Sequence, residues 1–84
     1  GLVNRIVPED ELLSTAQSWA RRLAQGPTQA LAMTKKMLAH EQDLDLESAI
    51  EAEAQAQALL LMAEDHRLFY EAFKAKTKPQ FTGR

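Results

Sequence analysis

A chain of 84 residues with a net charge of −2 is one domain at most, and it buries only about 60% of the surface its unfolded form exposes, so its core is thin. The acidic balance, with both signs spread along the chain, argues against general nucleic-acid or membrane-surface binding, where a basic excess is the usual footprint. The absence of cysteine removes disulfides, thiolate nucleophiles and Cys-based metal sites and suits a reducing, cytoplasmic compartment, and no apolar run approaches the ~20 residues that span a bilayer.

Leu2 to Val7 is rich in β-branched residues and ends at Pro8, so it reads as a short strand or extended arm. The chain then divides into that arm, residues 1–7, and a helical domain, residues 8–84. Pro8 suits the first turn of a helix, and Glu9, Asp10 and Glu11 favour its positive pole. Leu12, Ala16, Trp19, Ala20 and Leu23 recur at helical spacing until Gly26-Pro27 ends the helix. A second helix starts near Pro27 with Ala30, Leu31, Thr34, Met37 and Leu38 as its apolar stripe, and His40 to Asp45 is a polar connector. Asp45 is the N-cap of the longest helix, which runs to about Ala63. The last helix covers roughly Asp65 to Lys76; because Ala63 cannot cap it, a kink with the preceding helix is expected there. Whether residues 77–84 are ordered is left open by the sequence. These patterns predict an all-α fold of about four amphipathic helices behind a short extended arm.

Two features of the long helix stand out. Projection at 100° per residue places Leu46, Ala49, Ile50, Ala54, Ala58, Leu60 and Leu61 on one side, with Glu53 and Gln57 in the middle of that face. A carboxylate there needs a partner, and a Lys or Arg from a packed neighbour is the expected one. Leu59 and Met62 fall on the opposite, polar face, as though the helix packed against two bodies. Trp19 and the three methionines read as core.

The common catalytic signatures do not occur. His40-Glu41 lacks the second His of a zinc-protease helix, and no nucleophile elbow, phosphate loop or dinucleotide fingerprint is present. Ser14, Thr15, Thr28 and Thr34 read as surface or capping hydroxyls. His66, beside Glu64 and Asp65, reads as a surface histidine near carboxylates rather than half of an acid/base pair. No catalytic residue and no metal ligand is assigned. One constellation is more specific: Phe73 and Lys76 lie one helical turn apart, with Phe69 a turn earlier. An aromatic face beside an ammonium can stack a planar base and neutralise a phosphate, and a phosphorylated adenosine carries both. The last nineteen residues are also locally cationic, with Arg67, Lys74, Lys76, Lys78 and Arg84 against Glu71. Complementing the negative pole of the last helix is the simpler role for those charges.

The segment GLVNRIVPEDEL followed by an amphipathic helix resembles the junction where the catalytic core of the crotonase (enoyl-CoA hydratase/isomerase) family passes into its C-terminal helices. GPTQALAMTKKML resembles the family's next helix. The closing pattern, Asp65-His66-Arg67, then Ala72-Phe73, Lys76, Pro79, Phe81 and Gly83, resembles the family's ending, so the likeness covers the whole chain. It implies the C-terminal helical region of an enzyme that hydrates an enoyl-CoA thioester or shifts its double bond. Coenzyme A thioester is then substrate, with no tightly held cofactor. Phe73 and Lys76 match the positions that contact the adenosine-phosphate part of coenzyme A. The implied partners are the upstream core of the same chain and further copies, in a trimer or dimer of trimers. The family's oxyanion hole and acid/base glutamates belong to that upstream core, so these residues alone should be inactive. Thr77 stands where many relatives carry Arg, and Ala63 where a Ser commonly caps the last helix. The rival reading is a non-catalytic helical interaction module that binds a partner chain. In either case the exposed arm from Leu2 to Val7 favours swapping or self-association when the segment is alone.

Overall fold

The computed structural model describes residues 1–84 and is built of helices alone. A 3-10 turn over Glu9–Glu11 runs into α1 (Leu12–Ala24); α2 (Thr28–His40), a second 3-10 turn over Glu41–Asp43, α3 (Leu46–Leu61) and α4 (Glu64–Ala75) follow. The fold is all-α with four helices, as the periodicity predicts. The arm forms no strand. Leu2, Val3 and Ile6 are exposed irregular chain, since a lone segment has no sheet edge to pair with and leaves its backbone to water.

Boundaries follow local chemistry. Pro8 caps the first 3-10 turn, and Gly26-Pro27 separates α1 from α2. Asp45 caps α3 by accepting from Ser48 N at 2.8 Å and Ser48 Oγ at 3.1 Å. Those bonds hold its carboxyl below the ordinary 3.8. The polar connector is more regular than expected, because Glu41–Asp43 continue α2 as a tighter turn. Between α3 and α4 the kink expectation is corrected. Ala63 adopts an extended conformation, with ψ 149°, and breaks the helix outright.

The core is as thin as the length requires: Met37, Ala56 and Ala72 are its only buried apolar residues. α3 packs against both α2 and α4. The α2 face in contact is Ala30, Met33 and Met37, whereas Leu31 and Leu38 of the predicted stripe are exposed. On α3 the packed stripe is Ala49, Ala52, Ala56 and Leu60, its first three members small enough to let the helices approach. The projected face was therefore rotated: Leu46, Ile50, Ala54, Ala58 and Leu61 are exposed. Trp19 is 40% exposed and Met62 84%, so neither is a core residue here.

The molecule is open for its size. Its radius of gyration is 16.2 Å, where a compact domain of this length has roughly 12 Å. It exposes 7395 Å², while a self-contained protein of this mass exposes roughly 5,000 Å². α1 buries no residue at all, and Leu12, Leu13 and Leu23 lie open along it. Leu59 and Met62 are likewise open on the far side of α3. No helix is long and apolar enough to cross a membrane.

Candidate functional site

The C-terminal twenty residues form the most constrained part of the chain. Asp65, in the first turn of α4, is its most buried residue, 4% exposed. Its carboxylate accepts from Thr82 N at 2.6 Å, Gly83 N at 3.0 Å and Thr82 Oγ1 at 3.3 Å. In return its own backbone N–H donates to the Arg84 carbonyl at 2.8 Å. The start of α4, which has no Ser, Thr, Asp or Asn at its cap position, is thus capped by the tail instead. Glu64 adds an ion pair to Arg84 at 3.7 Å and accepts from Thr82 Oγ1 at 3.1 Å. Gly83 is needed where it sits: its φ is +80°, and a Cβ there would stand 2.7 Å from Thr28 Oγ1. The tail therefore ties the start of α4 to the start of α2. Phe81 enters a cavity of about 200 Å³ lined by Pro27, Ala30, Leu60, Leu61 and Phe69.

At the other end of α4 the chain reverses. Lys76 has φ 54° and ψ 38°, the left-handed region, and is the only non-glycine residue there. Thr77 N donates to Ala72 O at 2.9 Å and Lys76 N to Phe73 O at 3.2 Å, the paired bonds of a Schellman motif. Glycine is the usual residue at that position; a lysine there stores about 1 kcal/mol or more of backbone strain. Lys76 is therefore not on the helix one turn after Phe73, as its spacing predicts, but on the turn that follows it.

Beside that turn, Phe73 is 70% exposed and stacks on Phe69, with ring centroids 6.2 Å apart and planes 25° from parallel. The cation lying over an aromatic ring is Lys74, 5.4 Å from the Tyr70 centroid, not Lys76. Arg67 is engaged by Glu71 at 2.7 Å and Glu64 at 3.6 Å. Of the cationic cluster, Lys74, Lys76 and Lys78 have no acidic partner, and only Lys74 of these lies over an aromatic ring. His66 is exposed, and its neighbour Asp65 is spoken for by the tail, so the two make no acid/base pair.

The Glu53 expectation is corrected. Its neighbour is Glu41, not a Lys or Arg. Glu41 is half-buried, its Oε1 is covered and has no donor in reach, and it hydrogen-bonds to the neighbouring carboxylate only when Glu41 itself carries the proton. That hydrogen bond, with burial and the like charge of Glu53, holds Glu41 above the ordinary 4.5, while His40 pulls it partly back. Sequence reasoning missed Asp65 as well. An aspartate near a helix start reads as a dipole partner, and a tail contact made seventeen residues later leaves no periodic signal.

Comparison with known proteins places this arrangement. The family model described as enoyl-CoA hydratase/isomerase matches residues 1–84. The chain is 34% identical over its full length to 1,2-epoxyphenylacetyl-CoA isomerase of Escherichia coli (strain K12), of which it covers 32%. It is 33% identical to 2,3-dehydroadipyl-CoA hydratase of the same organism, covering 33%. An enoyl-CoA hydratase structure from Geobacillus kaustophilus HTA426 superposes on the whole chain with a TM-score of 0.93 at 33% identity, over 32% of that protein's length. The chain spans about a third of each of these proteins. A match over every residue, in sequence and in three dimensions, means that this chain belongs to the enoyl-CoA hydratase/isomerase family.

Proposed function

We propose that this chain is the C-terminal helical domain, residues 8–84 behind the 1–7 arm, of a cytoplasmic enzyme acting on acyl-CoA thioesters. In it, Phe73 and Lys76 receive the adenosine-phosphate end of coenzyme A. The observation that carries this reading is the strained, left-handed Lys76 beside an exposed Phe73. An open aromatic face offers stacking area to a purine, and an unpaired ammonium on a fixed turn offers a charge to a phosphate. The two E. coli relatives are named for CoA substrates, which supports the same ligand class.

The chemistry itself belongs to an upstream core, which hydrates an enoyl thioester or moves its double bond. The helical domain packs on that core and joins subunits. Support for packing comes from surface area: the chain exposes on the order of 2,000 Å² more than a self-contained protein of its mass, as much as one side of an obligate interface. α1, with its whole apolar face open, is the first candidate for that contact, and the Leu59 and Met62 face of α3 is a second.

The test is steady-state kinetics of Lys76→Ala in the full-length enzyme on an enoyl-CoA such as crotonyl-CoA. KM rises about tenfold while kcat stays within about twofold, because the phosphate contact is made equally in the ground and transition states. An unchanged KM, with no CoA-dependent response in a titration, would hand the chain to the rival reading, a helical module that binds a partner chain through those same open apolar faces.

A further inference from the structure

We propose, resting on the coenzyme A reading above, that Asp65 is a positioning residue for Lys76, acting through the tail. The two residues are the ends of one closed loop. Lys76 starts the reversal with its left-handed turn, and Asp65 finishes it by taking Thr82 N, Gly83 N and Thr82 Oγ1.

The loop has almost no slack. Thr77 to Thr82 is six residues and reaches at most about 20 Å when extended. The stretch of α4 it must retrace, Asp65 to Ala75, rises roughly 15 Å. A near-taut strap transmits its anchorage: what is fixed at Asp65 fixes the exit direction at Lys76. Local bonds alone do not explain the turn. The turn has only the two Schellman hydrogen bonds, and lysine, a good helix former, resists the left-handed region. Released from Asp65, residues 76 and 77 would relax into a further, fraying half-turn of α4, and the ammonium would swing around the helix axis. The buried clasp supplies the constraint, and the exposed lysine is where it is used.

Asp65→Asn keeps the shape but replaces one acceptor oxygen by a donor that faces Gly83 N or Thr82 N. Gly83→Ala attacks the same clasp from the other side and leaves Asp65 intact; it guards against a folding defect peculiar to the asparagine. In the full-length enzyme, each variant raises KM for an enoyl-CoA roughly three- to tenfold with kcat within about twofold. The decisive comparison is Asp65→Asn in a Lys76→Ala background, where it adds nothing to KM, because its effect runs through the ammonium that has been removed. The second readout is conformational: the Lys76 backbone carbon shifts of the Asp65→Asn variant move from left-handed to helical values. An equal KM effect of Asp65→Asn with and without Lys76, or a Lys76 that stays left-handed once Asp65 is changed, overturns the proposal. A silent Lys76→Ala beside a Lys76 that still loses its turn strikes the coenzyme A reading instead, so the two failures are told apart.

Discussion

The two ends of this chain solve the problem of a short sequence in opposite ways. From Leu2 to Ala24 nothing is buried: α1 carries a regular apolar stripe, and every leucine on it faces outward. From Glu64 to Arg84 the chain closes on itself, with Asp65 nearly sealed and the tail hydrogen-bonded to the start of α4 and lying against Thr28 at the start of α2. Amphipathicity without burial has no stabilising value until something covers it, and isolated helices of this length are marginal in water. A buried carboxylate with three donors, by contrast, is a contact the chain completes without help. One end leaves its apolar face open, and the other holds its shape through its own contacts.

The sharpest way to break that contrast is at Trp19, which lies on α1 and is 40% exposed. If α1 docks on a core, Trp19→Ala costs the full-length enzyme about 3 kcal/mol, the usual loss for truncating a buried aromatic. In the isolated 84-residue segment the same change stays within about 0.5 kcal/mol. Thermal unfolding of both pairs checks it, and equal shifts would mean that α1 stays solvent-facing in the complete protein.

A smaller effect is expected at the closed end. Gly83→Ala meets both a positive φ and the Thr28 hydroxyl 2.7 Å from the new Cβ, and it costs the clasp about 1–3 kcal/mol. Hydrogen exchange resolves where the cost falls. The amides of Thr82, Gly83 and Asp65, each hydrogen-bonded in the clasp, lose protection in the variant, while those of α1 are unchanged because they had little to lose. Loss of protection spread evenly over all four helices would mean that the two ends fold as one unit.

The same contrast decides what could be read from the sequence. Helix number, the Gly26-Pro27 break and the Asp45 cap were legible because each is settled within a turn or two of chain. Phe73 and Lys76 were legible as a pair of suitable residue types, but their geometry was not. The spacing puts Lys76 on the helix, whereas the chain leaves α4 there in a left-handed turn. The rotated face of α3 has a related cause. Hydrophobicity pointed to Ile50 and Leu61, yet close helix packing selected the small Ala49, Ala52 and Ala56. Large apolar residues left outside are then available to whatever covers the domain, which a periodicity count cannot separate from a core.

Glu53 falls between the two regimes, and it gives the smallest and most pH-specific expectation. Glu41, at the end of α2 where the second 3-10 turn begins, meets Glu53 in the middle of α3, and it titrates above its ordinary 4.5 because it shares a proton with Glu53. A carboxyl whose pKa is raised by folding favours the folded state at acidic pH, and that contribution disappears as pH rises through the folded value. Once Glu41 loses that proton, the like charge of Glu53 makes the contact repulsive. His40 works in the opposite direction, pulling the Glu41 pKa partly back. Glu41→Gln supplies a permanent donor to the Glu53 carboxylate, so the variant melts above wild type at pH 7, and the gap narrows to nothing as pH falls below the ordinary carboxylate range. A gap that persists unchanged in acid would mean that packing, not the shared proton, sets the difference. A gap that closes in the isolated segment but is absent at every pH in the full-length enzyme would mean that a cation from the covering body already sits between the two glutamates, which would extend the open end of the molecule as far as the middle of α3.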